Sequence, residues 1–186
     1  MTSNIYWIEH RSGGRLAIMA RPRAGEWLDD EVENWRAAGV QVVVSLLELD
    51  EEAELGLQAE SDACRSRNIE FIRFPISDRG VPADRNAAVS LARMLASSGR
   101  PTAIHCRAGI GRSSLMAALV LVQSGQTPDE AFDRIQSARG LSVPDTDAQR
   151  EWIRQSARSS HSPLATRPRH WWGPLSGQAP TTALDP

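Results

Sequence analysis

The sequence predicts an α/β fold, with a central parallel-rich twisted sheet flanked by helices, on three observations. Short apolar, β-rich runs recur along the chain as "VQVVVSLL" (40–47), "IEFIRFPI" (69–76) and "PTAIHC" (101–106). The first is an unbroken apolar run, as expected of a strand buried on both faces of a sheet. Longer stretches with helical spacing lie between the runs, and strands that alternate with helices pack as a parallel sheet covered by those helices.

Near the N-terminus, "IYWIE" and "RLAIMA" are expected to add edge strands. "EWLDDEVENWRAAG" places Trp27, Leu28, Val32 and Trp35 near one helical face, and Gly39 is a reasonable stop. After the 40–47 strand a helix is expected over 51–67, then the 69–76 strand and the loop "SDRGVP". The next helix runs from about 83 to 98, with Asp84 near its start, and leads into the 101–106 strand. The apolar "SLMAALVLV" after Arg112 is a helix. In "TPDEAFDRIQSARG" Thr127 is a good cap, Pro128 suits the first turn and Gly140 the stop. A last helix is expected over 145–158. One catalytic domain, 1–158, is therefore expected, followed by a Pro/Ser-rich tail, 159–186, without periodicity and expected to be flexible, in which Trp171 and Trp172 stand out.

The formal charge of −2 on 186 residues comes without a basic block, which argues against a nucleic-acid or anionic-membrane surface. An anionic substrate must then be captured locally. No apolar run reaches the ~18 residues that span a bilayer, and "MTSNIYWIEHRSGG" lacks a signal-peptide core, so a cytoplasmic protein without membrane insertion is expected. The two cysteines, Cys64 and Cys106, read as reduced thiols, Cys64 as a small buried residue of a helix. A protective disulfide between them under peroxide is the bolder alternative.

The chemistry concentrates in "HCRAGIGRSS" (105–114), where a buried strand gives way to a helix. Ligands of such sheets bind at the carboxyl ends of strands. Arg107, Ala108, Gly109, Ile110 and Gly111 form a short loop whose two glycines allow successive N–H groups to turn inward as a nest for an anion. The helix adds its positive N-terminal end, and the planar Arg112 guanidinium can make two parallel hydrogen bonds to phosphate oxygens. Helix N-termini and nearby cations favour the thiolate form of a cysteine, so Cys106 is expected to be a nucleophile facing a bound phosphoryl group. Asp78, just past another strand's carboxyl end, is the candidate general acid; Asp84 is its rival and reads as a helix cap. Ser113 can donate a hydrogen bond to the sulfur, and His105 is expected to fix the loop rather than move a proton.

"HCRAGIGRS" resembles the H-C-x-x-G-x-x-R-[S/T] phosphate loop of the protein tyrosine phosphatase superfamily, and "FPISDRGVPAD" resembles the acid loop of its dual-specificity branch, Asp78 standing 28 residues before Cys106. "VVVSLLE" and "SVPDTDAQREWI" fall in family order, so the resemblance covers roughly residues 16–158. It implies Cys106 as nucleophile, Arg112 as phosphate clamp, Asp78 as acid and Ser113 as thiolate partner, with no metal or organic cofactor. It also implies that Gln149 orients the hydrolytic water. The chain has a single tyrosine, Tyr6, and no separate aromatic recognition loop, so a pocket shallow enough for phosphoserine and phosphothreonine beside phosphotyrosine is expected on a phosphorylated protein substrate. Phosphoinositide phosphatases of the superfamily tend to carry basic residues at both variable loop positions; here Arg107 is basic and Ile110 apolar, which puts a lipid substrate second. Two further alternatives are a rhodanese-like sulfurtransferase, which has no need of an acid loop, and a module that binds phosphorylated partners without turning them over.

Overall fold

In a computed structural model of the chain, residues 4–9 and 14–160 are described. The expected tail, with Trp171 and Trp172, lies outside them except for positions 159 and 160, which belong to the final helix. One sheet contains β1 (Ile5–Ile8), β2 (Leu16–Ala20), β3 (Val42–Ser45), β4 (Glu70–Arg73) and β5 (Thr102–Cys106) in the order β1-β2-β5-β3-β4. Only the β1–β2 pair is antiparallel. "RLAIMA" therefore does not form the expected edge strand. All but the last of β2's residues are buried, and such an apolar run suits an interior strand, whereas β1 and β4, only partly buried, take the two edges.

The helices are α1 (Leu28–Ala37), α2 (Leu49–Glu54), α3 (Glu60–Ser66), α4 (Arg85–Ser98), α5 (Arg112–Gln123), α6 (Pro128–Arg139) and α7 (Asp147–Ser160). Alternation along the strands splits the core into two layers. Ile18, Val42, Val44 and Ile104 pack with residues of α4, α5, α6 and α7. Ala17, Met19, Val43 and Ala103 pack on the other face with residues of α1 and α3. Arg112 through Val122 of α5 are all buried, so the helix that leaves the phosphate loop is the centre of the larger layer.

Three expectations shift. The single helix over 51–67 is divided, because Gly56 adopts φ +68° and turns the chain between α2 and α3. Trp27 belongs to a 3-10 turn, Gly25–Trp27, where it is 47 % exposed and covered by the Arg23 guanidinium instead of facing the core. The last helix starts at Asp147, not Asp145. The caps of α6 form as expected, with Thr127 Oγ1 accepting from the Glu130 N–H and Gly140 at φ +73°. Among the described residues, no helix is long and apolar enough to cross a membrane.

Candidate active site

Parallel pairing brings the carboxyl ends of four strands to one edge of the sheet. Ala20 pairs with Cys106, and Ser45 pairs with both His105 and Arg73. The loops that follow β3, β4 and β5 therefore open side by side, which is where α/β sheets bind ligands.

The phosphate loop is held from outside. Gly109 has φ +69°, and a Cβ there would stand 2.5 Å from the Met19 carbonyl carbon, so no other residue fits against β2. The Arg21 N–H donates to the Arg107 carbonyl at 3.4 Å. Arg139, at the end of α6, donates to the carbonyls of Gly109 at 3.1 Å and Ala108 at 3.5 Å, while its guanidinium lies over the Tyr6 ring at 4.2 Å. Bonds to these outward carbonyls suit a loop whose N–H groups turn inward on an anion.

Cys106 ends β5 and is buried, with its sulfur 3.5 Å from Ser113 Oγ in the first turn of α5. The Arg112 side chain, 2 % exposed, fans across the site. Nη1 donates to Glu51 Oε2 at 2.5 Å and to the Ile76 carbonyl at 2.9 Å. Nη2 donates to Glu51 Oε1 at 2.9 Å and to Asp78 Oδ1 at 3.1 Å. None of these bonds uses Nε, so part of the fork stays available to a ligand. Burial disfavours the Arg112 charge, but Glu51, the Cys106 sulfur and Asp78 outweigh it and raise its pKa above the ordinary value. The hydrogen bond from Arg112 in turn holds the Glu51 carboxyl below the usual carboxylate range, against the opposing effect of burial.

Asp78 sits in a tight turn closed by the Gly80 N–H donating to the Ser77 carbonyl at 2.8 Å, with Arg79 at φ +55°. Ser77 Oγ donates to Glu48 Oε1 at 2.9 Å, and Gln149 Nε2 donates to the Gly80 carbonyl at 2.9 Å. The acid loop is thus tied to α2, α5 and α7, although the Asp78 side chain itself is 66 % exposed. Gln149 is fully buried, and among the described residues its Oε1 has no hydrogen-bond partner. Asp84 caps α4, accepting from the N–H groups of Asn86 at 2.8 Å and Ala87 at 3.0 Å.

The remaining expected residues divide. Arg107 reaches Glu54, Nη2 to Oε1 at 2.7 Å, and Ile110 packs against the core. His105, one position before Cys106, faces the opposite layer, where its buried Nε2 lies 2.9 Å from Glu60 Oε1. Cys64 is buried in that same layer, apart from Cys106 in the other. Sequence reasoning missed Glu51 and Arg139. Glu51 is one of five acids in "ELDEEAE", and a basic residue in a last helical turn reads simply as a partner of the helix dipole.

Known proteins resemble this chain in sequence and in fold. A family model described as PTP-SAK, Swiss Army Knife protein, DSP-PTPase phosphatase domain, matches residues 2–166. Cyclin-dependent kinase inhibitor 3 of Rattus norvegicus is 26 % identical over 133 residues, 69 % of this chain and 62 % of that protein, so the chain spans less than two thirds of that relative. A kinase associated phosphatase (KAP), solved with serine in place of its catalytic cysteine, shares the fold with a TM-score of 0.79 at 22 % identity, covering 88 % of this chain and 99 % of that one. PTPMT1 in complex with PI(5)P gives a TM-score of 0.63 at 22 % identity, covering 83 % and 96 %.

Proposed function

The chain belongs to the DSP-PTPase phosphatase domain family, and on that premise we propose that it hydrolyses phosphomonoesters on proteins, phosphotyrosine with phosphoserine and phosphothreonine, through a cysteinyl-phosphate intermediate. One observation carries the reading: Cys106 lies 3.5 Å from Ser113 and Arg112 reaches Asp78 at 3.1 Å, at a single sheet edge beside the glycine-bearing 107–111 loop.

The phosphate enters the loop and takes the free edge of the Arg112 fork. The Asp78–Arg112 bond yields readily, because an exposed carboxylate gains little from an ion pair. The deprotonated Cys106 sulfur attacks phosphorus, the ester P–O bond breaks, and Asp78 in its acid form protonates the leaving oxygen. Arg112 and the loop N–H groups meet the charge on the equatorial oxygens. Ser113 Oγ–H then stabilises the sulfur as it leaves, and a water hydrolyses the intermediate. Gln149, expected to orient that water, also ties the acid loop to α7 through Gly80.

The rim favours protein over lipid. Ile110 packs against the core, so Arg107 is the single basic side chain at the loop's two variable positions, where an inositol headgroup with a second phosphate would want two. The deciding experiment sets phosphotyrosine, phosphoserine and phosphothreonine peptides beside inositol phospholipid vesicles, with Cys106→Ser as blank. Peptide turnover that vanishes in Cys106→Ser, while phosphate binding persists, is expected. Undiminished turnover in that variant would sink the reading, and turnover confined to the vesicles would replace its substrate.

A further inference from the structure

A cleft of about 560 Å³ lies between β1, at the edge of the sheet, and α6, lined by Trp7, Glu9, Glu130, Asp133, Arg134 and Ala138. Three acids stand there against one base, and the Arg134 guanidinium is turned to the backbone, Nη1 donating to the Glu9 carbonyl at 3.0 Å. Glu9 and Asp133 are exposed, and among the described residues their carboxylates take part in no hydrogen bond or ion pair. A phosphate has no place in such a cleft. Open carboxylates beside the half-buried Trp7 and Ala138 suit a cation with an apolar body.

The chain carries a segment of that chemistry close at hand. α7 ends at Ser160 against the start of α6, where Arg154 Nη2 lies 3.0 Å from Asp129 Oδ1, and Ala157 and Arg158 share a second hollow with Pro128 and Asp129. Glu130, the next residue of α6, opens the acidic cleft. Beyond residue 166, where the match to the family model stops, the sequence continues as "RPRHWW" (167–172), with two arginines, two tryptophans and no acid. A chain covers about 3.3 Å per extended residue, so Arg167 can lie up to about 23 Å from Ser160, whereas α6 rises only about 12 Å between Glu130 and Ala138. The segment therefore reaches the whole cleft. Trp and Arg are also the side chains that anchor docked surfaces best.

We propose that the cleft between β1 and α6 is the docking site of this chain's own 167–172 segment, with Arg167 and Arg169 on the Glu9 and Asp133 carboxylates and a tryptophan on the apolar floor by Trp7 and Ala138. Charge chooses the segment, and the covalent link makes docking intramolecular, so that contacts too weak to hold a free peptide still keep the cleft filled. The same two walls supply Tyr6 and Arg139 to the phosphate loop. A docked segment thus fastens together the two elements that brace that loop, without entering the site itself.

The sequence contains no lysine, so Arg169→Lys places a single side-chain amine in the full chain. Treated with a carbodiimide, that protein should form an amide to Glu9 or Asp133, read as a crosslinked peptide by mass spectrometry. Its yield should be several-fold above that to Glu70, an exposed acid on β4 at the opposite edge of the sheet. Adding Trp171→Ala and Trp172→Ala should lower the yield, and so should 1 M salt, where screening acts within about 3 Å. Acrylamide should quench the tryptophan fluorescence of Glu9→Gln/Asp133→Asn, in the otherwise natural chain, more than that of the wild type; this pair leaves the Glu130 cap of α6 in place. Links spread evenly over exposed acids, or quenching unchanged by the double substitution, overturn the proposal. So do links that join ordinary to isotope-labelled chains in a mixture, which would make the cleft an interface between copies. Absence of any link to the cleft overturns it as well and leaves the site to a separate basic partner.

Discussion

Arg112 and Glu51 meet in a two-pronged ion pair, Nη1 to Oε2 at 2.5 Å and Nη2 to Oε1 at 2.9 Å, that joins Arg112, the proposed phosphate clamp, to α2. α2 is itself anchored to β4 by Glu52, whose carboxylate takes Arg73 Nε at 2.7 Å and Nη2 at 2.9 Å. The Arg112 guanidinium is thus held by an element that is itself anchored to the sheet.

Removing the Glu51 carboxylate leaves the Arg112 cation buried with its main partner lost. Such breakage costs about 3–5 kcal/mol in a fully dry site, and Glu51, 12 % exposed, puts this pair near the lower end. Glu51→Ala should lose about 3 kcal/mol in urea unfolding and on the order of 10²-fold in kcat/KM for an aryl phosphate. The pH dependence has a definite sign. The folded pKa of Glu51 is depressed, so its stabilisation is present above the unfolded carboxyl value and is lost as pH falls through the lower folded value. Glu51→Gln should flatten that acid limb; an unchanged limb would assign it to other carboxylates.

Asp78 and Asp84 should separate cleanly. Asp84→Ala removes two hydrogen bonds from the start of α4 and should cost about 1 kcal/mol of stability with kcat intact. Asp78→Asn should keep stability and slow phosphoenzyme formation, more steeply as the leaving group becomes more basic. The leaving-group series in both variants, beside their melting curves, is the measurement. A flat series in Asp78→Asn would remove it as the acid.

Burial pushes the Cys64 thiol up to about 12, with Glu60 adding to the effect. It should resist iodoacetamide at neutral pH while Cys106 reacts. Because its folded pKa is raised, Cys64's contribution to stability is complete below the ordinary thiol value of 9.0 and is lost as pH rises toward 12. Cys64→Ala should flatten the alkaline part of the unfolding curve in that window. Mild peroxide should oxidise Cys106 without a Cys64 crosslink, since the two lie in different core layers; a crosslinked peptide in mass spectra would refute this.

The sheet was legible because buried parallel strands are short apolar runs, and "VQVVVSLL" and "PTAIHC" can be little else. Cys106, Arg112 and Ser113 could be picked out together because the strand, loop and helix start that hold them are contiguous. Edge and interior strands were confused because β2 earns its interior place only by pairing with β5, far along the chain. Glu51 and Arg139 were hidden for the same reason. Each acts on the phosphate loop from another element, and nothing local distinguishes it from its charged neighbours.

Arg139 offers the sharpest separation of binding from chemistry. It donates to the Ala108 and Gly109 carbonyls, and those peptide groups own the N–H donors of Gly109 and Ile110. Withdrawing electron density at each carbonyl strengthens the N–H at the other end of the same peptide. Charge-assisted bonds of this kind contribute about 1.5–3 kcal/mol when well formed, and the longer contact, at 3.5 Å, lowers the total. Arg139→Met should therefore weaken inhibition by inorganic phosphate roughly tenfold, the equivalent of 1.4 kcal/mol. Tyr6→Leu, which removes only the ring beneath the guanidinium, should give a smaller loss in the same direction. Neither change touches Asp78, so the leaving-group dependence should stay that of the wild type. A steeper dependence in Arg139→Met would show that the brace reaches the acid loop as well, and unchanged phosphate inhibition would show that the loop holds its shape without it.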